Sequence, residues 1–271
     1  MKNRYGSHVL VTGASSGIGA SIAEMFAMNG CSVTGTSRHC EEQTKTYPGG
    51  GSLTFMKMDV IDPKSVDTVI ERIPQIDIAV LAAGMGVAGS AEELPLNLAR
   101  RQIETNYLGV LAVGNAVLPK MRAQKKGLFL VIGSIAGRVS IPMQSHYSSS
   151  KYALEAYVDA IRMEMRPYGV RACILEPGDT RTGFTSARRT YIQKGSPYEH
   201  VIQKSVAKMA KDEQNGRPPM SVAKVAWKMT GRRNPPARVP IGLEYKLLMF
   251  LIRLLPDRLK EWILSLMYLP K

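Results

Sequence analysis

Cysteine is scarce in this chain, and the three present, Cys31, Cys40 and Cys173, are an odd set without metal-ligand spacing. That argues against a disulfide framework or a thiolate metal centre. Cys31 and Cys173 fall in segments that read as strands, as small buried apolar side chains in a reducing compartment would. Long apolar runs are missing too. The longest near the C-terminus, Leu247 to Ile252, is interrupted by Arg253 and falls well short of the roughly 20 residues that span a bilayer, so no transmembrane helix is expected. The opening Met-Lys-Asn-Arg-Tyr-Gly-Ser-His runs straight into a strand and leaves no room for the apolar core of a secretory signal. The expected location is cytoplasmic, with surface attachment to a membrane left open. Internal repeats and Ser/Gly or Pro-rich linkers are absent as well, so residues 1–271 are expected to form a single α/β domain.

Negative charge is the other shortage, and it is local. Residues 1–180 hold 18 Lys/Arg against 16 Asp/Glu, whereas residues 181–271 hold 18 against 6. Such a tail can attract phosphate, anionic lipid or nucleic acid, although a solvated basic face is the commoner explanation. No zinc spacing, aromatic-rich RNA signature or DNA-reading helix accompanies the charge, so a nucleic-acid partner is not expected.

What is present is a regular alternation. Short apolar runs at Val9–Val11, Ser32–Thr36, Leu53–Met58, Ile76–Ala82, Leu128–Ile132 and Val170–Leu175 alternate with helical spacing at 17–29, 63–73, 96–123 and 145–166. The connection at 39–51 is short, polar and glycine-rich, so any helix there is small. Apolar strands of this kind need cover on both faces, which predicts a doubly wound parallel sheet, with ligands bound outside the carboxyl ends of its strands.

Three features carry chemistry. The first strand ends in Thr12-Gly-Ala-Ser-Ser-Gly-Ile-Gly19, where Gly13, Gly17 and Gly19 suit a turn that lets the backbone, with Ser15, Ser16 and Ile18, approach a diphosphate at a helix N-terminus. The second strand ends in Thr36-Ser37-Arg38 without an acid. An acid there would bind the adenosine 2′-hydroxyl, whereas an arginine accommodates a 2′-phosphate, so Ser37 and Arg38 favour NADP(H) over NAD(H); the competing reading has Glu41 or Glu42 reaching back. Asp59 and Val60, after the third strand, are placed to meet the adenine, with Asp59 as a helix cap the alternative. Tyr147 and Lys151 stand four residues apart on one helical face. There a lysine ammonium would lower the phenol pKa from its usual ~10 toward the range of an effective proton donor and acceptor. No metal site is expected.

Together these residues resemble the short-chain dehydrogenase/reductase family. The matches are the glycine turn, Asp59, Ala83-Gly84, Asn106 in Asn-Tyr-Leu-Gly, Ser134 in Ile-Gly-Ser, Tyr147-x-x-x-Lys151, and Pro177-Gly178 followed by Thr182, in the family's order over about the first 185 residues. The resemblance implies a Rossmann-like fold with about seven parallel strands and a catalytic tetrad of Asn106, Ser134, Tyr147 and Lys151. In it, Ser134 would hold the substrate oxygen and Tyr147 would transfer the proton. Lys151 would bind the nicotinamide ribose, and Asn106 would position a water linking Lys151 to solvent. Pro177, Gly178, Thr180 and Thr182 would hold the carboxamide. The chain departs from the family pattern at Leu81-Ala-Ala-Gly84, where side-chain amides are usual. Homo-oligomers through the segments 96–123 and 145–166 are also implied.

Met85, Met143 and Phe184 flank these motifs and are candidate substrate contacts. Within 185–271, expected to be a substrate lid and C-terminal extension, 243–269 reads as two amphipathic helices hinged at Leu255-Pro256-Asp257. They either lie on a membrane with Lys246, Arg253, Arg258 and Lys260 at the headgroups, or form a lid and packing element that buries the same leucines within the protein or an oligomer, the latter slightly favoured. The expected activity is NADP(H)-dependent interconversion of an alcohol with a ketone or aldehyde. A lipophilic substrate of steroid, retinoid or acyl-chain type fits the apolar flanks, and a catalytically silent NADP(H)-binding sensor or scaffold is the rival.

Overall fold

The protein is described by a computed structural model covering residues 3–269. The β-branched run His8–Thr12 forms β1, and the glycine turn after it opens α1 (Gly17–Met28). Then follow β2 (Ser32–Ser37), a short β3 (Thr44–Thr46), β4 (Ser52–Lys57), α2 (Pro63–Glu71), β5 (Ile78–Leu81) and a two-residue β6 (Val87–Ala88). The middle of the chain supplies α3 (Leu96–Ile103), α4 (Gly109–Ala123), β7 (Gly127–Ile132), α5 (Ser145–Glu164) and β8 (Val170–Pro177). The last third adds α6 (Phe184–Ala187), β9 (Arg189–Thr190), α7 (Glu199–Gln214), α8 (Pro219–Thr230), β10 (Arg238–Ile241), α9 (Leu243–Leu254) and α10 (Asp257–Tyr268).

The main sheet has eight strands in the order β10-β8-β7-β5-β1-β2-β4-β3. Seven are parallel; β3 pairs antiparallel with β4 at the edge. That eighth strand is the departure from the sequence expectation. Its Thr-Lys-Thr is polar and wholly exposed, so it carries no apolar signal, and its place comes only from pairing with β4. A separate pair, β6 with β9, ties the loop after β5 to the last third.

Successive residues of a strand point to opposite faces, and β1 shows the result. Val9 and Val11 join one core with Ile22 and Phe26 of α1 and Ala223 and Ala226 of α8, while Leu10 joins another with residues of α2, α4 and α5. Phe26 meets Trp227 of α8 edge-on, with ring centroids 5.2 Å apart, a favourable aromatic geometry. Chain order reverses between β1 and β5, the switch point where such sheets open a crevice.

Two helices differ from a plain 3.6-residue reading. The segment 96–123 is one helical run interrupted by a π-turn over Glu104–Leu108, a distortion that frequently marks functional sites. At its end Gly109 lets the helix lie close against Val60, because a Cβ there would come 2.8 Å from Val60 Cγ2. At the C-terminus, α9 and α10 are separated at Pro256, as expected, and they bury only part of their apolar surface against the rest of the chain. Tyr245, Met249 and Ile252 turn inward, whereas Leu243, Leu247, Phe250, Leu251 and Leu254 stay exposed. Packing within this chain therefore accounts for the inner face of the pair, and the outer stripe is left uncovered by the chain's own residues. Among the described residues, no helix is long and apolar enough to cross a membrane.

Candidate active site

The carboxyl ends of the strands surround a cleft of about 420 Å³. At its centre is the turn after β1. Gly13 and Gly17 have φ of +69° and +58°, left-handed values that glycine adopts without steric cost. A Cβ on Gly13 would lie 2.8 Å from Ala83 Cα, and one on Gly19 would lie 2.2 Å from Gly13 O. Thr12 Oγ1 accepts the N–H groups of Ala82 and Ala83 at 3.1 and 3.2 Å. This bond holds the Ala-Ala-Gly84 segment beside the turn without the amide side chains usual there. The first turn of α1 contains no acid, and Ser16 makes no side-chain cap. The free N–H groups and positive end of the helix are therefore left facing the cleft, suited to a diphosphate.

At the adenosine end, Ser37, Arg38, Asp59 and Val60 all line the cleft. The Thr36 and Ser37 hydroxyls are buried without a protein partner, and Arg38 is exposed beside them. Buried polar groups normally find a hydrogen bond, so a ligand with acceptor oxygens fits here. Glu42, which could have reached back to this point, is held instead by Arg72 at 2.9 Å. Asp59 does not cap α2. Asp62 takes that role, accepting from Lys64 N at 3.0 Å ahead of Pro63, while Asp59 Oδ1 accepts from Ile61 N in a local turn. These groups and the glycine turn together fit a dinucleotide.

The four residues of the expected tetrad line the same cleft. Ser134, just beyond β7, accepts from Ala136 N at 3.1 Å, which fixes its oxygen and leaves its own proton available to a ligand. Tyr147 and Lys151 come from consecutive turns of α5. Lys151 is buried, and its Nζ donates to Ile132 O at 2.9 Å and sits 5.8 Å from the Tyr147 ring centroid. Asn106, in the π-turn, is fully buried. Its Oδ1 accepts from Met85 N at 2.8 Å, and its Nδ2 donates to Met85 O at 3.0 Å and Ser150 Oγ at 3.1 Å. The Asn106 side chain therefore clamps the loop after β5 to α5.

The electrostatics correct one expectation. Burial pushes the Tyr147 phenol up to about 12, against the opposing pull of the Ser134 hydroxyl; Glu213 raises it further and Arg188 lowers it. Lys151 does not produce the acidic phenol that the four-residue spacing suggested. Its ammonium is itself brought down to about 8 by burial, partly offset by Glu155 one turn along α5. Desolvation disfavours the charged form of each group, and it is the largest influence on both.

The wall opposite α5 comes from the last third. Pro177, Gly178, Thr180 and Thr182 line the cleft, and the Thr182 side chain lies 3.3 Å from where a Gly17 Cβ would be, so this loop lies close against the glycine turn. Gly178 packs beneath the Tyr245 ring of α9, and Tyr245 Oη accepts from Asp179 N at 2.9 Å and donates to Asp179 Oδ2 at 2.6 Å. Of the candidate substrate contacts, Met85 and Phe184 reach the cleft, and the Phe184 ring sits 5.8 Å from that of Tyr147. Met143 is not among the lining residues. It occupies a left-handed turn, φ +61°, and its carbonyl accepts from Gly89 N. Sequence reasoning missed Glu213 of α7 and Tyr268 of α10, both of which line the cleft. Glu213 accepts from Arg188 and from Thr185 Oγ1. No motif marks these two, because they arrive through the packing of α7 and α10.

A parallel sheet in the order described, with a glycine turn and a Ser-Tyr-Lys wall at one cleft, defines a dinucleotide-binding oxidoreductase class. Residues 7–192 match the family model for short chain dehydrogenases, and the chain belongs to that family. It is 34% identical to the 3-ketodihydrosphingosine reductase of Bacteroides thetaiotaomicron over 96% of this chain and 97% of that one. Identity to the NADPH-dependent 3-dehydrocapnine reductase of Ornithobacterium rhinotracheale is 32%, covering 94% of each. Among solved structures, a short-chain dehydrogenase from Streptomyces avermitilis superposes with a TM-score of 0.81 at 25% identity, covering 96% of this chain and 97% of that one.

Proposed function

We propose that the protein is an NADP(H)-dependent oxidoreductase that interconverts a lipophilic secondary alcohol and its ketone, with a ketone on an acyl chain the favoured substrate. The observation that carries this reading is the meeting of Ser134, Tyr147 and Lys151 with the glycine turn at one cleft. Two relatives support the chemistry by name, one a reductase of 3-ketodihydrosphingosine and one an NADPH-dependent reductase of 3-dehydrocapnine. The orphan hydroxyls of Thr36 and Ser37 next to Arg38 favour a 2′-phosphate, which an arginine accommodates.

The bound dinucleotide supplies the hydride in reduction and accepts it in oxidation. Ser134 holds the substrate oxygen through its hydroxyl. Tyr147, protonated across neutral pH at about 12, donates its proton to that oxygen in reduction and receives one from the alcohol in the other direction. Lys151, whose Nζ lies over the Tyr147 ring, would bring positive charge to the phenol and hold the ribose hydroxyls of the bound cofactor. Asn106 keeps the Met85 loop on α5, and thus fixes the floor on which the substrate lies. Phe184 and Met85 offer apolar contact to the chain beside the carbonyl.

The test is NADPH oxidation, followed by absorbance, across a panel of long-chain ketones, steroid ketones, retinal and sugars. Turnover of the acyl-chain ketones, a Tyr147→Phe variant slower by about 10²–10⁴-fold and unchanged NADPH binding by that variant are the expected results. Preferential turnover of polar sugars would overturn the substrate class; full activity in the Tyr147→Phe variant would overturn the mechanism.

A further inference from the structure

We propose that the outer face of α9 and α10 docks on an anionic lipid bilayer. Leu243, Leu247, Phe250, Leu251 and Leu254 recur at intervals of three and four and so form one stripe of α9, and this stripe faces solvent. Leu243, Phe250 and Leu254 are 78%, 61% and 66% exposed. On α10, Leu259, Trp262 and Leu266 form a second stripe, with Trp262 58% exposed. Ten of the seventeen large apolar side chains exposed among the described residues lie on these two helices, so the apolar surface is concentrated there.

Helices that fold back onto their own protein turn the greasy side inward. Here the inward positions are taken. Tyr245 is bonded to Asp179, Met249 is buried, and the Tyr268 carbonyl accepts from Ser205 Oγ of α7 at 2.6 Å. The pair is fastened to the protein by its polar and inner residues and presents its apolar side to the surroundings.

Charge selects the occupant. Lys246 and Arg253 flank the α9 stripe along one edge and Arg258 stands beside the α10 stripe, all three exposed. Of the three acids in 243–269, Glu244 is paired with Arg217 at 2.6 Å and Asp257 with Lys260 at 2.5 Å, and the exposed Glu261 is outnumbered by Lys246, Arg253 and Arg258, so the rim of the face is cationic on balance. A second copy of the chain meeting this face through a two-fold axis would set like charges together. A surface of anionic headgroups complements them, while the leucines and Trp262 enter the headgroup and acyl boundary. Tyr268 of α10 lines the cleft and Tyr245 of α9 holds the loop after β8, so the helices that carry the docked face on their outer side border the cleft on their inner side. Passage of a membrane-borne ketone into the cleft by this route rests on the function proposed above; the docking does not.

The test uses the purified full chain and sedimentation with vesicles of phosphatidylcholine alone or mixed with phosphatidylglycerol. Co-sedimentation with the mixed vesicles, weaker with phosphatidylcholine alone and reduced by added salt, is expected. A Leu247→Ser/Phe250→Ser/Leu254→Ser variant should lose roughly tenfold or more of that binding while keeping its Tm and its affinity for NADPH. Lys246→Glu with Arg253→Glu should remove the preference for the anionic vesicles without changing the apolar stripe. Binding to neither vesicle, equal binding to both, or full binding by both variants overturns the proposal. So does self-association that the triple-serine variant abolishes, because the face would then belong to a second copy. Activity of all three proteins on a water-soluble ketone reports on the enzyme separately from the membrane.

Discussion

Lys151 is the residue in which spacing and environment disagree most. Its position four residues after Tyr147 places the two on one face of α5, but depth in the fold lowers its own pKa to about 8. A group with a depressed basic pKa keeps its proton below that value and loses it above. Tyr147 stays protonated well beyond this range, so the lysine is the group that titrates near neutrality. For ketone reduction, kcat/KM is expected to be level below about pH 8 and to fall above it. A Lys151→Arg variant should move that falling limb to higher pH, since guanidinium keeps its charge; pH–rate profiles of both proteins provide the check. At the other end of the cleft, replacing Arg38 with Ser is expected to raise KM for NADPH by about 10- to 100-fold, as loss of a charge-assisted hydrogen bond does, and to leave KM for NADH nearly unchanged. Equal loss with both cofactors would place the arginine outside the phosphate site.

At the scale of elements, the loop after β8 depends on α9 for its position. Tyr245 contributes a donor and an acceptor to Asp179 while its ring covers Gly178. Tyr245→Phe retains the ring and removes both bonds, so a loss of about 1–2 kcal/mol in stability is expected, read by urea denaturation, together with a higher KM for the cofactor. The long helices carried readable patterns, because β-strand burial and 3.6-residue spacing are local signals. The π-turn at Glu104–Leu108 was not readable, since its residues continue the apolar spacing of an ordinary helix and the one-residue insertion leaves no local mark. Nor was β3, whose exposed Thr-Lys-Thr becomes a strand only through the register offered by β4. Met143 looked like a pocket residue because it stands near Tyr147 in sequence. A reversal of the backbone at that residue keeps it off the cleft wall.

For the molecule as a whole, family membership leads to an expected homo-oligomer built on α4 and α5. Tyr152 and Met163, both on α5, are apolar side chains left exposed in the isolated chain. Light scattering after size-exclusion chromatography is expected to give a multiple of the 29.8 kDa chain mass, unaffected by substitutions on the outer stripe of α9. A strict monomer would count against it.

The sequence by itself determined the alternation of strands and helices, the glycine turn and the identities of Ser134, Tyr147 and Lys151, because each is written within a strand, a turn or one helical repeat. Only the tertiary structure decided the order of the strands, that Glu213 and Tyr268 enter the cleft, that burial dominates the titration of Tyr147 and Lys151, and which side of α9 looks outward. Those outcomes depend on desolvation and on contacts between residues far apart in the chain, which no local pattern encodes.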